Sequence, residues 1–260
     1  MNAGQTIAIV HLFPTLMGTY GDGGNLLVLA RRAKARGLTP QVVTVGPGDA
    51  IPAQGDLYVL GGGEDAGQVA AARYLRQSAG FKQAAEAGAC IFAVCAGLQV
   101  LGTDFEVAGG AIEPGVGLLD AVTRRREPRA VGEVWAEVLP EAGSAAGLPP
   151  LTGYENHGGG TALGPAARPL ARVVSGIGNG SGGPAGDGTE GVVQGHVLAT
   201  YLHGPVLARN PELADRLLSL AAGGATLPDL ATPYVADLRQ EREAYVRSGK
   251  LSADSVRTRR

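Results

Sequence analysis

The chain has only two cysteines in 260 residues, Cys90 and Cys95, and both fall in one apolar segment. That excludes a disulfide framework and any cysteine-based metal spacing. It also lacks a surplus of basic charge: 22 Lys and Arg stand against 24 Asp and Glu, a formal net charge of −2. General nucleic-acid and membrane-surface binders carry a clear basic excess, so neither class fits. No apolar run approaches the roughly 18 residues that a membrane-spanning helix needs. The amino-terminal stretch "MNAGQTIAIVHLF" has no basic leader region. A first strand is expected there rather than a signal peptide, and a cytoplasmic enzyme is the simplest class.

Glycine is abundant instead, 42 residues of 260, about twice the usual share. Many turns and close backbone approaches follow from that. "TIAIVHLF" reads as a buried strand, and Asn25 as the cap of a helix "LLVLARRAKARG" that Gly37 ends. "QVVTV" and "GDLYVLGGG" read as strands two and three. One or two helices follow in "QVAAARYLRQSAGFKQAAEAG", then a fourth strand "ACIFAV" and a helical turn "AGLQVLG". This strand–helix alternation predicts an α/β fold with a mostly parallel, open twisted sheet flanked by helices. From residue 103 to about 160, "GVGLLDAVTRRRE", "RAVGEVWAEV" and "LTGYENHGGGTAL" read as antiparallel strands joined by turns. "SGIGNGSGGPAGDGTEG" reads as a surface loop, "VVQGHVLATYLHG" as a strand and "NPELADRLLSLAAGG" as an Asn-capped helix. One domain over residues 1–220 is expected, with a polar, charged tail over 221–260 that begins helical and ends frayed.

Cys95 lies between a strand of β-formers and the small pair Ala96-Gly97. A nucleophile on a sharp strand-to-helix turn needs such neighbours, because only they tolerate the close backbone. The amides that follow would favour a thiolate and bind a developing oxyanion, Ala96 first. A buried free cysteine fits the local pattern as well, and the pattern alone leaves both readings open. Cys90, at the start of the same strand and an odd number of residues away, faces the opposite side and reads as core. Four histidines are available as base. His11 lies inside the first strand and His196 at the start of a late one. His203 ends "VLATYLH", at the same carboxyl edge as Cys95, and is the preferred base. His157, expected to follow a strand in a glycine-rich loop, stands second. The glycines of "LGGGED" carry neither a dinucleotide fingerprint nor a P-loop lysine, and could instead complete an oxyanion hole or form a plain turn.

In the order "LGGGED … VCAGLQVLG … GYENHGG … TYLHGP" the chain resembles the class I (triad-type) glutamine amidotransferases. With "YGDGGN", "ENHGG" and "YLHGP" it is similar to their cobyric-acid-synthase-like branch, and there to the glutaminase subunits that serve a Mur-ligase-like partner. The resemblance spans roughly residues 15–215 and implies a flavodoxin-like amidotransferase fold. It implies Cys95 as the nucleophile of a glutamyl thioester and His203 as the base. It further implies oxyanion amides from Gly62 or Gly63 with Ala96, and substrate contacts from Gln99, Arg129, Asn156 and His157. A guanidinium at Arg129 suits an α-carboxylate through a two-point contact.

The family commonly places a Glu two residues after the His, where this chain has Pro205. The expectation is that an acid from the partner completes the triad. The resemblance implies that this chain needs no cofactor or metal. ATP and magnesium would belong to a MurT-like Mur ligase subunit, with which it would form a heterodimer and amidate the D-glutamate of lipid II to D-isoglutamine. The alternatives are another acceptor such as a corrin carboxylate, a stand-alone cysteine hydrolase, and a non-enzymatic subunit on the same scaffold.

Overall fold

The computed structural model describes residues 4–19, 21–183 and 186–248. In chain order its elements are β1 (Thr6–Leu12), α1 (Gly23–Ala35), β2 (Thr39–Val45), β3 (Leu57–Leu60), α2 (Asp65–Gln77) and α3 (Ala79–Glu86). Next come β4 (Cys90–Val94), α4 (Ala96–Leu101), β5 (Asp104–Glu106), β6 (Ile112–Pro114), β7 (Ala121–Val138) and β8 (Leu151–Leu163). The chain then runs through β9 (Ala171–Ser175), β10 (Thr189–Glu190), β11 (Val192–Gln194), β12 (Val197–Thr200), α5 (Val206–Arg209), α6 (Pro211–Ala221) and α7 (Pro233–Arg247).

The main sheet has the order β11-β12-β4-β3-β1-β2. Only β11 runs against its neighbour; every other pair is parallel. Central strands of such a sheet are covered on both faces and read as continuous apolar runs. Thus β3 (LYVL), β4 (CIFAV) and β12 (VLAT) are buried at every position, whereas edge strand β2 is mostly exposed. This is the α/β architecture expected from the alternation of strands and helices.

Two corrections concern helix caps. Asn25 does not cap α1: the helix starts at Gly23, and the fully buried Asn25 side chain accepts the Leu207 N–H at 3.0 Å. Asn210 precedes α6 but bridges sideways, its Oδ1 accepting the Thr152 N–H at 3.0 Å. Each amide oxygen is committed to a backbone N–H far along the chain, and neither side chain caps its helix.

The second sheet, β10-β9-β7-β5-β6 with β8 paired to β7, rests against the first. The sequence read two strands where β7 is one strand of 18 residues. Its ladder to β8 breaks between Arg125 and Ala130, the point at which the sequence pattern is interrupted. His157 lies inside β8 rather than in a loop after it. "VVQGHVLAT" is the hairpin β11–β12, turning at Gly195, whose φ is +58°.

The tail is helical in α7, which has no buried residue among those whose burial is described and lies on the body through ion pairs. Arg239 meets Glu212 of α6 at 2.7 Å, and Arg242 approaches Glu133 of β7 at 3.7 Å. The expected frayed end, residues 249–260, lies outside the described residues. Among those described, no helix is long and apolar enough to cross a membrane.

Candidate active site

Four adjacent parallel strands, β1, β3, β4 and β12, deliver one side chain or glycine each to a common edge. Asp22 follows β1, Gly62 follows β3, Cys95 follows β4 and His203 follows β12. In open α/β sheets the carboxyl edge is where ligand crevices form.

Cys95 sits at φ +54°, ψ −112°, a left-handed conformation that L-residues rarely adopt. Its N–H donates to the Thr200 carbonyl at 2.8 Å, which ties this turn to β12. Strain of this kind persists only where surrounding structure over-determines it, and here it leaves Cys95, though buried, lining the cleft. Cys90, on the opposite side of β4, is core: it is buried and its thiol is pushed up to about 12 by burial.

His203 is buried beside the thiol. Burial alone would lower its pKa, but the hydrogen bonds to Asp22 and Cys95 and the charges of both outweigh that and raise it to about 10. The carboxylate is 3.0 Å away, Asp22 Oδ1 to His203 Nδ1, and both side chains are almost wholly buried. The acid found beside this imidazole is Asp22, from within the chain, where the expectation was an acid from a partner subunit. Pro205 does stand where the family has Glu, but the ring's Nδ1 is already engaged from within the chain, by a residue 181 positions earlier. Residue counting near the histidine could not find it. The one sequence signal was "YGDGGN", which carries Asp22.

Gly62 is wedged among these groups. A Cβ there would lie 3.0 Å from His203 Cε1, 3.1 Å from Asp22 Oδ2 and 3.3 Å from Cys95 Cβ. Of the two glycines expected to offer an oxyanion amide, Gly62 has its N–H committed to Asp22 Oδ2 at 2.8 Å. Gly63, by contrast, lines the cleft in front of Cys95 together with Ala96. The glycine run has a further cause. Cβ atoms at Gly61 and Gly63 would lie 2.2 Å and 2.6 Å from the carbonyls of Met17 and Leu16. The β1–α1 loop crosses directly over the run, so nothing larger fits.

The cleft gathers Gln99, Arg129, Asn156 and His157 with the cysteine. Arg129 Nε donates to Asn156 Oδ1 at 2.7 Å and its Nη2 to the Asn156 carbonyl at 2.9 Å, so Asn156 aims the guanidinium. Gln99 is fixed at both ends of its amide. Gln68 Nε2 donates to its Oε1 at 2.6 Å, and its own Nε2 donates to the Tyr201 hydroxyl at 3.1 Å. Gln68 and Tyr201 were not singled out as site residues in the sequence; Gln68 lies in no motif, whereas Tyr201 opens "YLHGP". His157 is 2% exposed and stacks on the Tyr201 ring at 3.9 Å. Its Nδ1 lies 2.8 Å from the Gly159 carbonyl and its Nε2 3.6 Å from Glu155, so the ring is tied to its own strand. Behind this wall, fully buried Glu190 accepts from the Tyr201 N–H at 3.0 Å, and burial pushes its carboxyl up to about 7. Among the described residues no cluster of three or more His, Cys, Asp and Glu side chains is arranged to hold a metal.

Cys95 on a strained turn, the buried His203 with Asp22 behind it, and a cleft carrying the Asn156-anchored Arg129 form an arrangement in which a thiol could attack an amide carbonyl. The CobB/CobQ-like glutamine amidotransferase domain matches residues 8–211, and the chain belongs to that family; it is a glutamine amidotransferase. It is 31% identical over 224 residues to the GatD subunit of lipid II isoglutaminyl synthase (glutamine-hydrolyzing) from Staphylococcus aureus (strain N315), covering 85% of this chain and 87% of that protein. The same subunit from Streptococcus pneumoniae (strain ATCC BAA-255 / R6) is 32% identical over 235 residues, covering 88% and 86%. In fold, the chain is similar to a solved glutamine amidotransferase with a TM-score of 0.54 at 22% identity, covering 82% of this chain and 98% of that one.

Proposed function

We propose that this chain is the glutaminase subunit of an enzyme that amidates lipid II, releasing ammonia from L-glutamine for a MurT-like, Mur-ligase-like partner. The observation that carries the chemistry is Cys95, held at positive φ on the turn after β4, with His203 bonded to Asp22 beside it. Similarity to the two GatD subunits over more than four-fifths of the chain supports the choice of acceptor.

The Cys95 sulfur attacks the side-chain carbonyl of glutamine, and the oxygen that becomes negative is met by the Gly63 and Ala96 amides. One such donor is worth about 2.7–4 kcal/mol in the transition state. As the tetrahedral species collapses, His203 hands its proton to the departing nitrogen, and ammonia leaves behind a glutamyl thioester. Water then attacks the thioester with His203 as base, releasing glutamate and restoring the thiol. Arg129 takes the α-carboxylate of glutamine, with Asn156 fixing its plane, and Gln99 and His157 shape the wall beside the substrate's aliphatic part.

Free ammonia is largely protonated at neutral pH and then has no lone pair for attack, so it passes to the acceptor by a shielded route between subunits. The partner uses ATP and magnesium to activate the D-glutamate carboxylate of the lipid II stem peptide, and amidation yields D-isoglutamine, in the cytoplasm. The test is glutamine hydrolysis by this chain with and without a MurT-like subunit, with mass analysis of the lipid product. Amidated lipid II formed only with glutamine, ATP and both subunits is expected. Hydrolysis without transfer to lipid II would point to another acceptor, such as a corrin carboxylate, or to a stand-alone hydrolase.

A further inference from the structure

Asp22 uses its two oxygens on two different parts of the site. Oδ1 meets the His203 ring at 3.0 Å, and Oδ2 accepts the Gly62 N–H at 2.8 Å. Three residues earlier in the same loop, the Thr19 N–H donates to the Gly62 carbonyl at 3.1 Å. Both polar groups of Gly62 are therefore gripped by the β1–α1 loop. The peptide that joins Gly62 to Gly63 is planar and trans, so holding its carbonyl toward Thr19 turns its N–H, that of Gly63, to the opposite side. Gly63 lines the cleft in front of Cys95, and its N–H has no hydrogen-bond partner among the described residues.

We propose that Asp22, assisted by Thr19, is a positioning residue that sets two parts of the machinery at once: the orientation of the His203 imidazole and the presentation of the Gly63 N–H to the developing oxyanion. The inference rests on the glutaminase reading. Preorganised donors work because they are in place before charge develops, and a single carboxylate spanning both parts keeps base and oxyanion site in register. The left-over role of the glycine run follows: only residues without a Cβ let the loop lie close enough to grip the peptide.

Two reactions of Cys95 separate the two roles. Glutamine hydrolysis needs both the imidazole and the oxyanion amide. Alkylation by iodoacetamide displaces iodide from a saturated carbon, forms no oxyanion, and reports only the thiol–imidazole pair. In Asp22→Ala both contacts go, and hydrolysis is expected to fall about a hundredfold further than alkylation, the weight of one oxyanion donor. In Asp22→Asn the amide oxygen still accepts from Gly62, so the two reactions should fall by similar factors, with the alkylation pH profile displaced from wild type. Equal losses of both reactions in Asp22→Ala would overturn the proposal, as would no loss of either. Should Asp22→Ala not fold, Thr19→Pro, which removes the N–H that donates to the Gly62 carbonyl and leaves Asp22 in place, decides it. Hydrolysis should then drop with alkylation unchanged, and parallel loss or full activity overturns the claim. Wild-type protein that hydrolyses no glutamine, alone or with its partner, would instead remove the glutaminase reading itself.

Discussion

Asp22 Oδ1 lies 3.0 Å from His203 Nδ1, an ion pair formed between the first strand's loop and the last strand's end and sealed from solvent. With Cys95, Asp22 holds the imidazole's charge from within this chain, and that has a measurable consequence.

The first prediction concerns pH. The folded-state value of His203, about 10, stands above the ordinary 6.5. The proton on His203 therefore stabilises the fold fully below about pH 6.5, and that contribution is lost as pH climbs toward 10. Imidazole NMR of labelled protein should show the ring protonated throughout the neutral range, with a midpoint well above 8. A midpoint at or below 6.5 would contradict the pairing.

Gly62→Ala offers a steric test. The added methyl would press on His203, Asp22 and Cys95 together, at 3.0, 3.1 and 3.3 Å. Glutamine turnover is expected to fall by up to about a hundredfold, since misplacing a catalytic group by about 1 Å has that order of effect. Stability should change by no more than the ~1–3 kcal/mol of local overpacking. A fully active variant would mean that these three groups can part without cost.

Arg129→Lys should act on binding rather than chemistry. Lysine keeps the charge but loses the planar fork that Asn156 orients through two contacts. KM for glutamine is expected to rise about tenfold or more, consistent with roughly 1.5–3 kcal/mol for a charged hydrogen bond, while kcat changes little. An unchanged KM would take Arg129 out of the substrate site.

How much of this was legible beforehand follows from where each signal is stored. The parallel sheet was readable because buried central strands such as "CIFAV" and "LYVL" are locally apolar throughout. Cys95 was readable because it follows such a strand directly, and His203 because it lies just beyond the end of another. Asp22 was not, since its partner is 181 residues away and only the order of strands brings them together. Asn25 misled for a related reason: its side chain has the right chemistry for a cap but is claimed by Leu207, a contact that no local window contains. The choice between Gly62 and Gly63 likewise depends on which amide the loop takes, which spacing cannot express.

Removal of residues 233–260 probes the tail. Among its described residues helix α7 buries none, and it meets the body through ion pairs such as Arg239–Glu212 and Arg242–Glu133. Surface pairs of this kind contribute about 0–1 kcal/mol each. The shortened chain should keep its glutaminase activity and lose less than about 2 kcal/mol in denaturant unfolding. A collapse of stability would make the tail part of the domain proper.

The most direct measurement is covalent capture of the nucleophile. Intact protein is treated with a glutamine-analogue electrophile such as 6-diazo-5-oxo-norleucine, and the adduct is mapped by peptide mass spectrometry in wild type, Cys95→Ala and His203→Ala. A single adduct on Cys95, absent from Cys95→Ala and formed far more slowly in His203→Ala, is the expected result. An adduct on Cys90 or elsewhere, or glutamine hydrolysis that survives in Cys95→Ala, would contradict it.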